Sequence, residues 1–540
     1  MITVRYLNGK SICLVTIYLY FFFPFWHDIG YMPFAKKSCV MEEYLSTDIY
    51  VSKRNNSLIN GKMIGRVLGV LLFIEAGMFV LCSGISVVYG ESDYKYFLYT
   101  AGINLLSGAL LMFYGRGAEN RLSRRDGYCI VTLSWVFFTL FGMLPFYLSG
   151  SIDSLTNAFF ETMSGFTTTG ATILDDIESL SHGMLFWRSL TQWIGGLGIV
   201  FFTIAVLPAF TSGGVQLFSA ESTGVTHDRT HPKINVMAKW LWTVYLILTL
   251  AETILLMLGG MNLFDAVCQS FATTATGGYS TKQASISYWN SPFIEYVVAI
   301  FMLLSGVNFA LFLMCLRGKV SRLLRDEELR WFLGSVAILT FLITLALVFQ
   351  NHYDWETAFR KSLFQVATAH TSCGFATDDY NLWPAFTWLL LLIAMLSGGC
   401  TGSTSGGIKN MRLLIIARSI RNEFKHLLHP NAVLPVRVNK QTVSPSIVST
   451  VGMFFAFYLI IVILSWAVLL FLGVGFSESI GTVISSIGNV GPGLGSCGPA
   501  YSWNGLPDAA KWVLSFLMLI GRLELFSVLL LFYPGFWKSR

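Results

Sequence analysis

The chain has 540 residues, of which 54% are hydrophobic and only 12% charged, and its mean hydropathy is +0.62. Because soluble domains carry about 25% charged residues, this composition excludes an ordinary soluble protein and indicates a polytopic membrane protein. The net charge of +6 is modest. Nine cysteines are scattered along the chain without a CxxC pair, and an odd number argues against a disulfide framework.

The N-terminal extension, residues 1–62, fits the rest of the chain poorly. Its apolar segment SICLVTIYLYFFFPFW is short and contains Pro24, and a polar tract separates it from the first long apolar window. We consider an extra span, an uncleaved signal-like segment, or a translated upstream region with Met41 or Met63 as the start of the protein. We favour the last interpretation.

Eight windows beyond this extension approach or exceed the ~18 apolar residues that identify a membrane span. They cover residues 64–88, 97–114, 128–148, 240–258, 293–316, 331–349, 447–472 and 512–532. The predicted fold class is therefore an all-α polytopic membrane protein.

Basic residues occupy every second connector between these windows. They are Arg116, Arg121, Arg124 and Arg125 in one connector, Arg317, Lys319, Arg322, Arg325 and Arg330 in another, and Lys409, Arg412, Arg418, Arg421 and Lys425 in a third. By the positive-inside rule these connectors are cytoplasmic, and both termini then lie inside. Several opposite connectors are acidic, at residues 91–93, 175–178 and 378–379, and we expect them to raise the cation concentration at the outer mouth.

Four short segments between the spans cannot cross a bilayer. Each begins near a helix-capping residue (Ser154, Asp265, Asp354 or Ser477) and continues for about 12 residues, which is about 18 Å of helix and about half of a hydrocarbon core. Each ends in a small, polar, glycine-containing tract. The glycines are Gly170, Gly277, Gly374 and Gly491.

Irregular backbone survives at membrane depth only where it is buried in protein or lines a water-filled cavity. Glycine permits positive φ, so that consecutive carbonyls can point the same way and replace the hydration shell of a monovalent cation. One such tract would equally suit close helix packing, but four on the same side favour an ion-selectivity filter. The predicted filter residues are Thr168, Thr169, Gly170, Ala275, Thr276, Gly277, Ser372, Cys373, Gly374, Asn489, Val490 and Gly491.

The chain resembles the Trk/Ktr/HKT superfamily of cation transporters, and most closely its TrkH branch, the membrane subunits of bacterial Trk potassium uptake systems. The resemblance covers residues 63–540. It depends on SGFTTTGAT, WRSLTQWIGGLGIV, TATGGYST, SGGCTGSTSGGIKNMRL, GNVGPGLG and GRLELF. It implies a pseudo-fourfold pore of four span–pore-helix–loop–span repeats, preceded by two extra transmembrane helices, in the bacterial cytoplasmic (inner) membrane.

These expectations divide the chain into the N-terminal extension (1–62), a two-helix unit (63–115) and pore repeats at 116–210, 211–317, 318–427 and 428–540. In the superfamily a glycine in all four loops accompanies potassium selectivity, whereas serine in the first loop accompanies sodium transport in some relatives. Gly170 stands at that position here, while Cys373 replaces the usual threonine. Sodium or mixed-cation transport, with or without ion coupling, remains the alternative.

The apolar run 383–424 is too long for one span and is interrupted by SGGCTGSTSGGIK. A phosphate-binding loop is unsuitable because Ile408 separates the glycine from the lysine and no strand precedes it. The resemblance implies an intramembrane gating loop below the filter, with Arg522 as a positive barrier in the pore. The residues assigned to gate and barrier are Gly398, Gly399, Gly402, Ser403, Gly406, Gly407, Lys409 and Arg522.

Three other polar residues lie in or beside apolar segments. Lys409 could pair with a carboxylate or carbonyl ends, or could snorkel to the cytoplasm. Glu252 is interpreted as structural and satisfied by a neighbouring helix. His370 has no second His or Cys at metal-ligand spacing and is interpreted as structural.

No catalytic constellation or bound cofactor is predicted, so the chain is not expected to be an enzyme. A membrane enzyme using His370 with Asp378 or Asp379 is disfavoured, because it would not need four glycine loops. By the resemblance, potassium is the transported substrate (with rubidium as its surrogate), a cytosolic TrkA-type ring of nucleotide-binding RCK domains is the partner, and the chain is a homodimer.

Overall fold

The computed structural model describes residues 59–118, 122–198, 234–316, 318 and 320–538. Nearly all of the N-terminal extension, and the basic residues Arg121, Arg317 and Lys319, lie outside the described residues.

The described part of the chain is α-helical apart from short 3-10 turns, loops and one hairpin. The α-helices are Gly61–Val88 (α1), Tyr94–Tyr114 (α2), Arg124–Gly142 (α3), Leu144–Leu148 (α4), Leu155–Phe166 (α5), His182–Leu197 (α6), Ile234–Leu258 (α7), Leu263–Ala275 (α8), Pro292–Ser305 (α9), Phe309–Leu316 (α10), Val320–Arg325 (α11), Glu327–Gln350 (α12), Trp355–His370 (α13), Ala385–Ser397 (α14), Asn410–Leu428 (α15), Pro445–Phe471 (α16), Phe476–Gly488 (α17), Asp508–Arg522 (α18) and Phe526–Phe532 (α19). The hairpin pairs Arg437–Val438 (β1) antiparallel with Gln441–Thr442 (β2).

Among the described residues, six helical segments are long and apolar enough to cross a bilayer. They are α1, α2, α3 with α4, the Lys239–Leu258 part of α7, α12 and α16. A seventh arises if α18 and α19, which are bent by 120° relative to each other, count as one broken span. The all-α membrane architecture predicted from composition is thus confirmed.

Two windows predicted as continuous spans, 293–316 and 512–532, are interrupted. In the first, α9 ends at Ser305, and the freed backbone groups bond to a distant loop: Cys400 N–H donates to Gly306 O at 2.8 Å, and Phe309 N–H donates to Gly402 O at 3.1 Å. In the second, the helix stops before two residues of positive φ, 524 and 525. Hydropathy windows miss both breaks because the many apolar residues on either side outweigh the few polar ones at the break, such as Asn308 and Arg522.

Helices α5, α8, α13 and α17 are short, with 12, 13, 16 and 13 residues, and much of their surface is buried. The N-caps predicted for the first and third of these helices are correct: Ser154 Oγ accepts from Asn157 N–H, and the Asp354 side chain accepts from Thr357 N–H. Hydrogen bonds of this kind satisfy backbone donors that the first helical turn leaves without partners.

The caps predicted for the second and fourth short helices are wrong. Asn262 caps α8, because its Oδ1 accepts from the N–H of Asp265 at 2.8 Å and its amide donates to the same aspartate at 2.8 Å. Asp265 therefore lies in the first turn. Helix α17 is preceded by Gly475 as its N-cap residue, so Ser477 also lies inside the helix.

The first two helices pack closely on one another and on the rest of the molecule. A Cβ on Gly69 of α1 would lie 2.7 Å from Gly108 O of α2, so only a residue without a side chain allows this approach. Phe79 of α1 contacts Trp187 of α6, with ring centroids 4.6 Å apart.

Candidate functional site

The loops that follow α5, α8, α13 and α17 share one backbone path. Each begins with a residue in the left-handed region, with φ of 53° or 54°. The N–H of the next residue bonds to the carbonyl five residues earlier. The left-handed residues are Thr168, Thr276, Ser372 and Asn489. The hydrogen bonds run from Thr169 N–H to Ser164 O, from Gly277 N–H to Ala272 O, from Cys373 N–H to Thr368 O and from Val490 N–H to Ser485 O, at 2.8–2.9 Å.

A glycine of positive φ comes third in each loop: Gly170 (82°), Gly278 (76°), Gly374 (94°) and Gly491 (104°). The second loop therefore differs from the sequence prediction by one residue. Gly277 does not have positive φ, and Ala275 is the last residue of α8. The equivalent triplet is 276–278, and the two adjacent glycines made the register ambiguous from sequence.

Residues 168–170, 276–278, 372–374 and 489–491 form what we call the loop ring. In each loop, a Cβ added to the third residue would clash with the carbonyl oxygen of the middle residue of the next loop. The contacts run from Gly170 to Gly277, from Gly278 to Cys373, from Gly374 to Val490 and from Gly491 to Thr169. Because this order returns to the first loop, the ring is closed.

Loops on opposite sides of the ring also lie close together. A Cβ on Gly170 would also lie 3.7 Å from the carbonyl oxygen of Cys373, which belongs to the loop across the ring. The thiol of Cys373 is buried and contacts Ala272 O. Hence the side chain of Cys373 is turned into the protein while its carbonyl oxygen faces the other loops.

Side chains behind the loop ring hold it in place. Gln192 of α6 donates from Nε2 to Gly277 O at 2.6 Å and accepts the N–H of Tyr279 at 3.0 Å. Arg188, one turn earlier, donates to Glu161 Oε1 at 2.9 Å and to Ser280 O at 3.1 Å. These supporting contacts were not predicted from the sequence. An arginine and a glutamine within the apolar stretch WRSLTQW do indicate buried polar contacts and could have identified them.

One side of the ring opens into a cavity of about 60 Å³ whose lining includes the third residue of all four loops. The charged residues that line this cavity are Arg188 and Lys282, and none of its described lining residues is a carboxylate. The expectation that the acidic connectors raise the cation concentration at the outer mouth stays a prediction. Asp175 instead binds Asn504 at 2.7 Å, and Asp378 binds Lys361 at 2.9 Å.

The opposite side of the ring is covered by residues 398–409, the irregular segment between α14 and α15. Its two ends pair with each other: Ile408 N–H donates to Leu396 O, and Asn410 N–H donates to Gly399 O, both at 3.0 Å. Gly398, Gly402 and Gly407 have positive φ. The interruption predicted inside the 383–424 run therefore exists as a pinched loop, which we call the 398–409 loop.

The 398–409 loop contacts three of the ring-forming segments directly. The N–H of Gly406 donates to Ser372 Oγ at 2.6 Å, and Thr404 Oγ1 donates to Thr274 O at 3.2 Å. A Cβ on Gly406 would clash with Gly488 O. Two other residues assigned to the gate form hydrogen bonds near the neck of the loop, where its two ends meet. Gly399 O accepts the N–H of Asn410, and Ser403 Oγ donates to Cys400 O at 2.6 Å.

Arg522 joins this loop to the end of α6. Its guanidinium donates to Thr404 O at 2.6 Å, to Gly195 O at 2.5 Å and to Gly196 O at 2.6 Å. A cation at a helix C-terminus is favourable, because the last carbonyls carry partial negative charge. The arginine is thus placed beside the loop that covers the ring.

The surroundings of Lys409 show whether it binds carbonyl groups within the protein or extends to the cytoplasmic surface. The side chain is buried, and Nζ donates to the carbonyl oxygen of Ser405, so it does not snorkel. Glu524 lies beyond the end of α18 in the left-handed region and forms an ion pair with Arg412 of α15.

His370 and Glu252 were both predicted to be structural polar residues. Ser335 Oγ lies 2.7 Å from His370 Nε2, and Asp378, which binds Lys361, forms no described hydrogen bond with this histidine. Glu252 is fully buried and lies close to Thr273 of the neighbouring helix α8, but no contact of its carboxylate oxygens within the described residues meets the geometry of a full hydrogen bond. The expected satisfaction of Glu252 by a neighbouring helix therefore stays a prediction.

The described helices define an integral membrane protein, and comparison with known proteins assigns its family. The TrkH family, described as cation transport protein, matches residues 95–538. The Trk system potassium uptake protein TrkH of Salmonella typhimurium is 38% identical over 482 residues, which cover 88% of this chain and 99% of the relative. TrkG of Escherichia coli, also a Trk system potassium uptake protein, is 34% identical over 482 residues.

The crystal structure of the potassium transporter TrkH from Vibrio parahaemolyticus matches with a TM-score of 0.80 at 34% identity, covering 88% of this chain and 99% of that chain. This chain belongs to the TrkH family of cation transport proteins. Family membership confirms the resemblance drawn from the motifs and the prediction that the chain is an ion transporter and not an enzyme.

Proposed function

We propose that this chain carries potassium ions into the bacterial cell, across the cytoplasmic membrane, through a selectivity filter formed by the loop ring. The observation that carries the proposal is the closed cycle of contacts in which each third glycine adjoins a carbonyl oxygen of the next loop. Stacked carbonyl oxygens can replace the hydration shell of a monovalent cation. The names of the relatives, which are potassium uptake proteins, support potassium as the substrate.

The short helices contribute to the same site electrostatically. Helices α5, α8, α13 and α17 all end at the loop ring, so their C-terminal carbonyls surround it. Each helix end carries about half a negative elementary charge. Four such ends lower the cost of holding a dehydrated cation without placing a carboxylate in the path.

In this proposal the 398–409 loop is the gate and Arg522 is a fixed positive barrier. The loop covers one side of the ring through Gly406 and Thr404, and Arg522 donates to the same loop. Small residues and positive-φ glycines allow the loop to rearrange at low steric cost. A cation leaving the ring toward this side meets both obstacles.

The organisation of the chain follows from the same reasoning. We propose the two-helix unit 63–115 and pore repeats at 116–210, 211–317, 318–427 and 428–540, arranged with pseudo-fourfold symmetry. The basic connectors support a cytoplasmic location for both termini. By analogy with the family, a TrkA-type ring of RCK domains binds on that side, and the protein is a homodimer.

The test is rubidium uptake into proteoliposomes that contain the purified full-length chain, with potassium or sodium as competitor. Uptake blocked by potassium and barely by sodium is the expected result. Equal competition by both ions would instead assign sodium or mixed-cation transport. If the chain alone is silent, a TrkA-type partner with nucleotide is added, and silence with the partner would overturn the proposal.

A further inference from the structure

Glu328, the second residue of α12, connects a membrane helix to both ends of the 398–409 loop. Its carboxylate oxygen Oε1 accepts the N–H of Thr401 at 2.6 Å and the N–H of Met411 at 3.1 Å. Thr401 lies early in the loop, and Met411 lies in the first turn of α15. One oxygen atom therefore ties together the two chain segments that enter and leave the loop.

The environment of Glu328 differs from that of its neighbour Glu327. Glu327 binds Arg418 at 2.8 Å, and the two side chains are 24% and 32% exposed. Glu328 is 3% exposed, and no lysine or arginine in the described residues forms an ion pair with it. A buried carboxylate is costly unless hydrogen-bonded, and here two backbone N–H groups of the loop region bond to it.

The two hydrogen bonds to Glu328 lie beside the neck of the 398–409 loop, where the two ends of the loop are in contact. Ile408 N–H donates to Leu396 O, and a Cβ on Gly407 would lie 2.7 Å from Gly398 Cα, so the neck of the loop is already pinched. If Thr401 and Met411 move with the 398–409 loop when it leaves the ring, both bonds to Glu328 break and its carboxylate stays buried without these donors.

We propose that Glu328 is a positioning residue that clamps the 398–409 loop against the loop ring, and that release of this clamp accompanies opening. The inference depends on the proposed function, in which this loop is the gate. It adds a second anchor, at the neck, to the anchor that Arg522 provides through Thr404 O. Charge-assisted hydrogen bonds are stronger than neutral ones, which suits a clamp that holds a closed state.

Cys400 provides a readout that is independent of ion flux. It is 1% exposed and directly precedes Thr401. The purified full-length protein is treated with N-ethylmaleimide, and labelling of each cysteine is followed by peptide mass spectrometry. In Glu328→Ala we expect Cys400 to be labelled at least about tenfold faster than in wild type, corresponding to a clamp of about 1.4 kcal/mol.

Matched variants separate the clamp from general damage. Glu327→Gln changes the adjacent carboxylate, which does not touch the loop, and should leave the Cys400 rate unchanged. Glu328→Gln retains an acceptor oxygen and should largely restore slow labelling. Cys268, buried in α8, should stay unreactive throughout. If Glu328→Ala does not fold, Glu328→Asp retracts the acceptor by one methylene and should give an intermediate rate.

Rubidium uptake by the chain alone then connects the clamp to transport. We expect Glu328→Ala to raise basal uptake about as much as it raises Cys400 labelling, while Glu327→Gln does not. Unchanged labelling overturns the clamp whether or not the wild type transports rubidium. Faster labelling with unchanged flux also overturns it as a gating device, while potassium-blocked uptake by the wild type would still support the proposed function.

Discussion

The guanidinium of Arg188 and the carboxylate of Glu161 form an ion pair, with Nε 2.9 Å from Oε1, in which the two side chains are 2% and 0% exposed. The arginine also donates to Ser280 O, beyond the second ring loop, and Glu161 Oε2 accepts the N–H of Ile173, beyond the first, at 2.9 Å. This pair therefore links the exits of two neighbouring loops of the ring.

Replacing Arg188 by glutamine leaves Glu161 buried without its cation. Removing one partner of a buried ion pair costs about 3–5 kcal/mol, so we expect a lower thermal unfolding midpoint in detergent and loss of potassium-selective rubidium uptake. Because the double variant Glu161→Gln with Arg188→Gln removes both charges, it should recover part of the midpoint.

Lys282→Gln is the control for the loss of a cation near the cavity. Lys282 pairs with Glu178 at 3.2 Å, but the side chains are 22% and 42% exposed, and pairs of this kind contribute about 0–1 kcal/mol. If Arg188→Gln unfolds at the wild-type midpoint and transports normally, the pair does not support the ring.

The register of the second loop is tested by comparing Gly278→Ala with Gly277→Ala. A side chain on Gly278 would be strained at positive φ and would clash with Cys373 O, a backbone atom that cannot yield without moving the third loop. On Gly277 it would meet the side chain of Gln192, which can shift. We expect Gly278→Ala to abolish rubidium uptake and Gly277→Ala only to reduce it.

Gly334→Ala is a matched control, because a Cβ at this position in α12 meets nothing within 4 Å. All three variants are checked for insertion and monodispersity before uptake is measured. Abolished uptake in Gly277→Ala with normal uptake in Gly278→Ala would restore the register inferred from sequence.

These two sites show what one sequence can and cannot predict. The loops are predictable from local chemistry, since a short helix followed by a small, polar tract that contains glycine is visible within about 25 residues. The register is not, because two consecutive glycines both tolerate positive φ and only the contact with Cys373 O selects one. Arg188 and Glu161 are 27 residues apart, and Glu328 and Thr401 are 73 apart, so neither pairing has a local signature.

Cys373→Ser should preserve potassium selectivity. The thiol is fully buried and turned toward Ala272 O, while the carbonyl of the same residue faces the ring. Serine keeps the backbone and nearly the volume, so the expected change is a small loss of stability without a change in the ratio of potassium to sodium inhibition. That ratio is measured by competition against rubidium uptake. A shift toward sodium would show that the side chain at this position sets selectivity.

Arg522→Gln should raise rubidium uptake by the chain alone. The arginine donates to Thr404 O and to the carbonyls of Gly195 and Gly196, so its loss removes one anchor of the 398–409 loop and, in the proposed function, a positive charge from the ion path. Two unit charges about 8 Å apart interact by about 2 kcal/mol at an effective dielectric constant of about 20, which predicts an increase on the order of tenfold or more.

Two further variants show whether this increase comes from charge or from the bonds to the loop. Arg522→Lys keeps the charge but cannot reach all three carbonyls, so an increase similar to that of Arg522→Gln would identify the loop contacts as the main obstacle. Arg125→Gln removes an exposed arginine that donates to Lys538 O at 3.2 Å, and it should leave uptake unchanged. If uptake in Arg522→Gln equals that of the wild type, Arg522 is not a barrier and the 398–409 loop is held closed by other contacts.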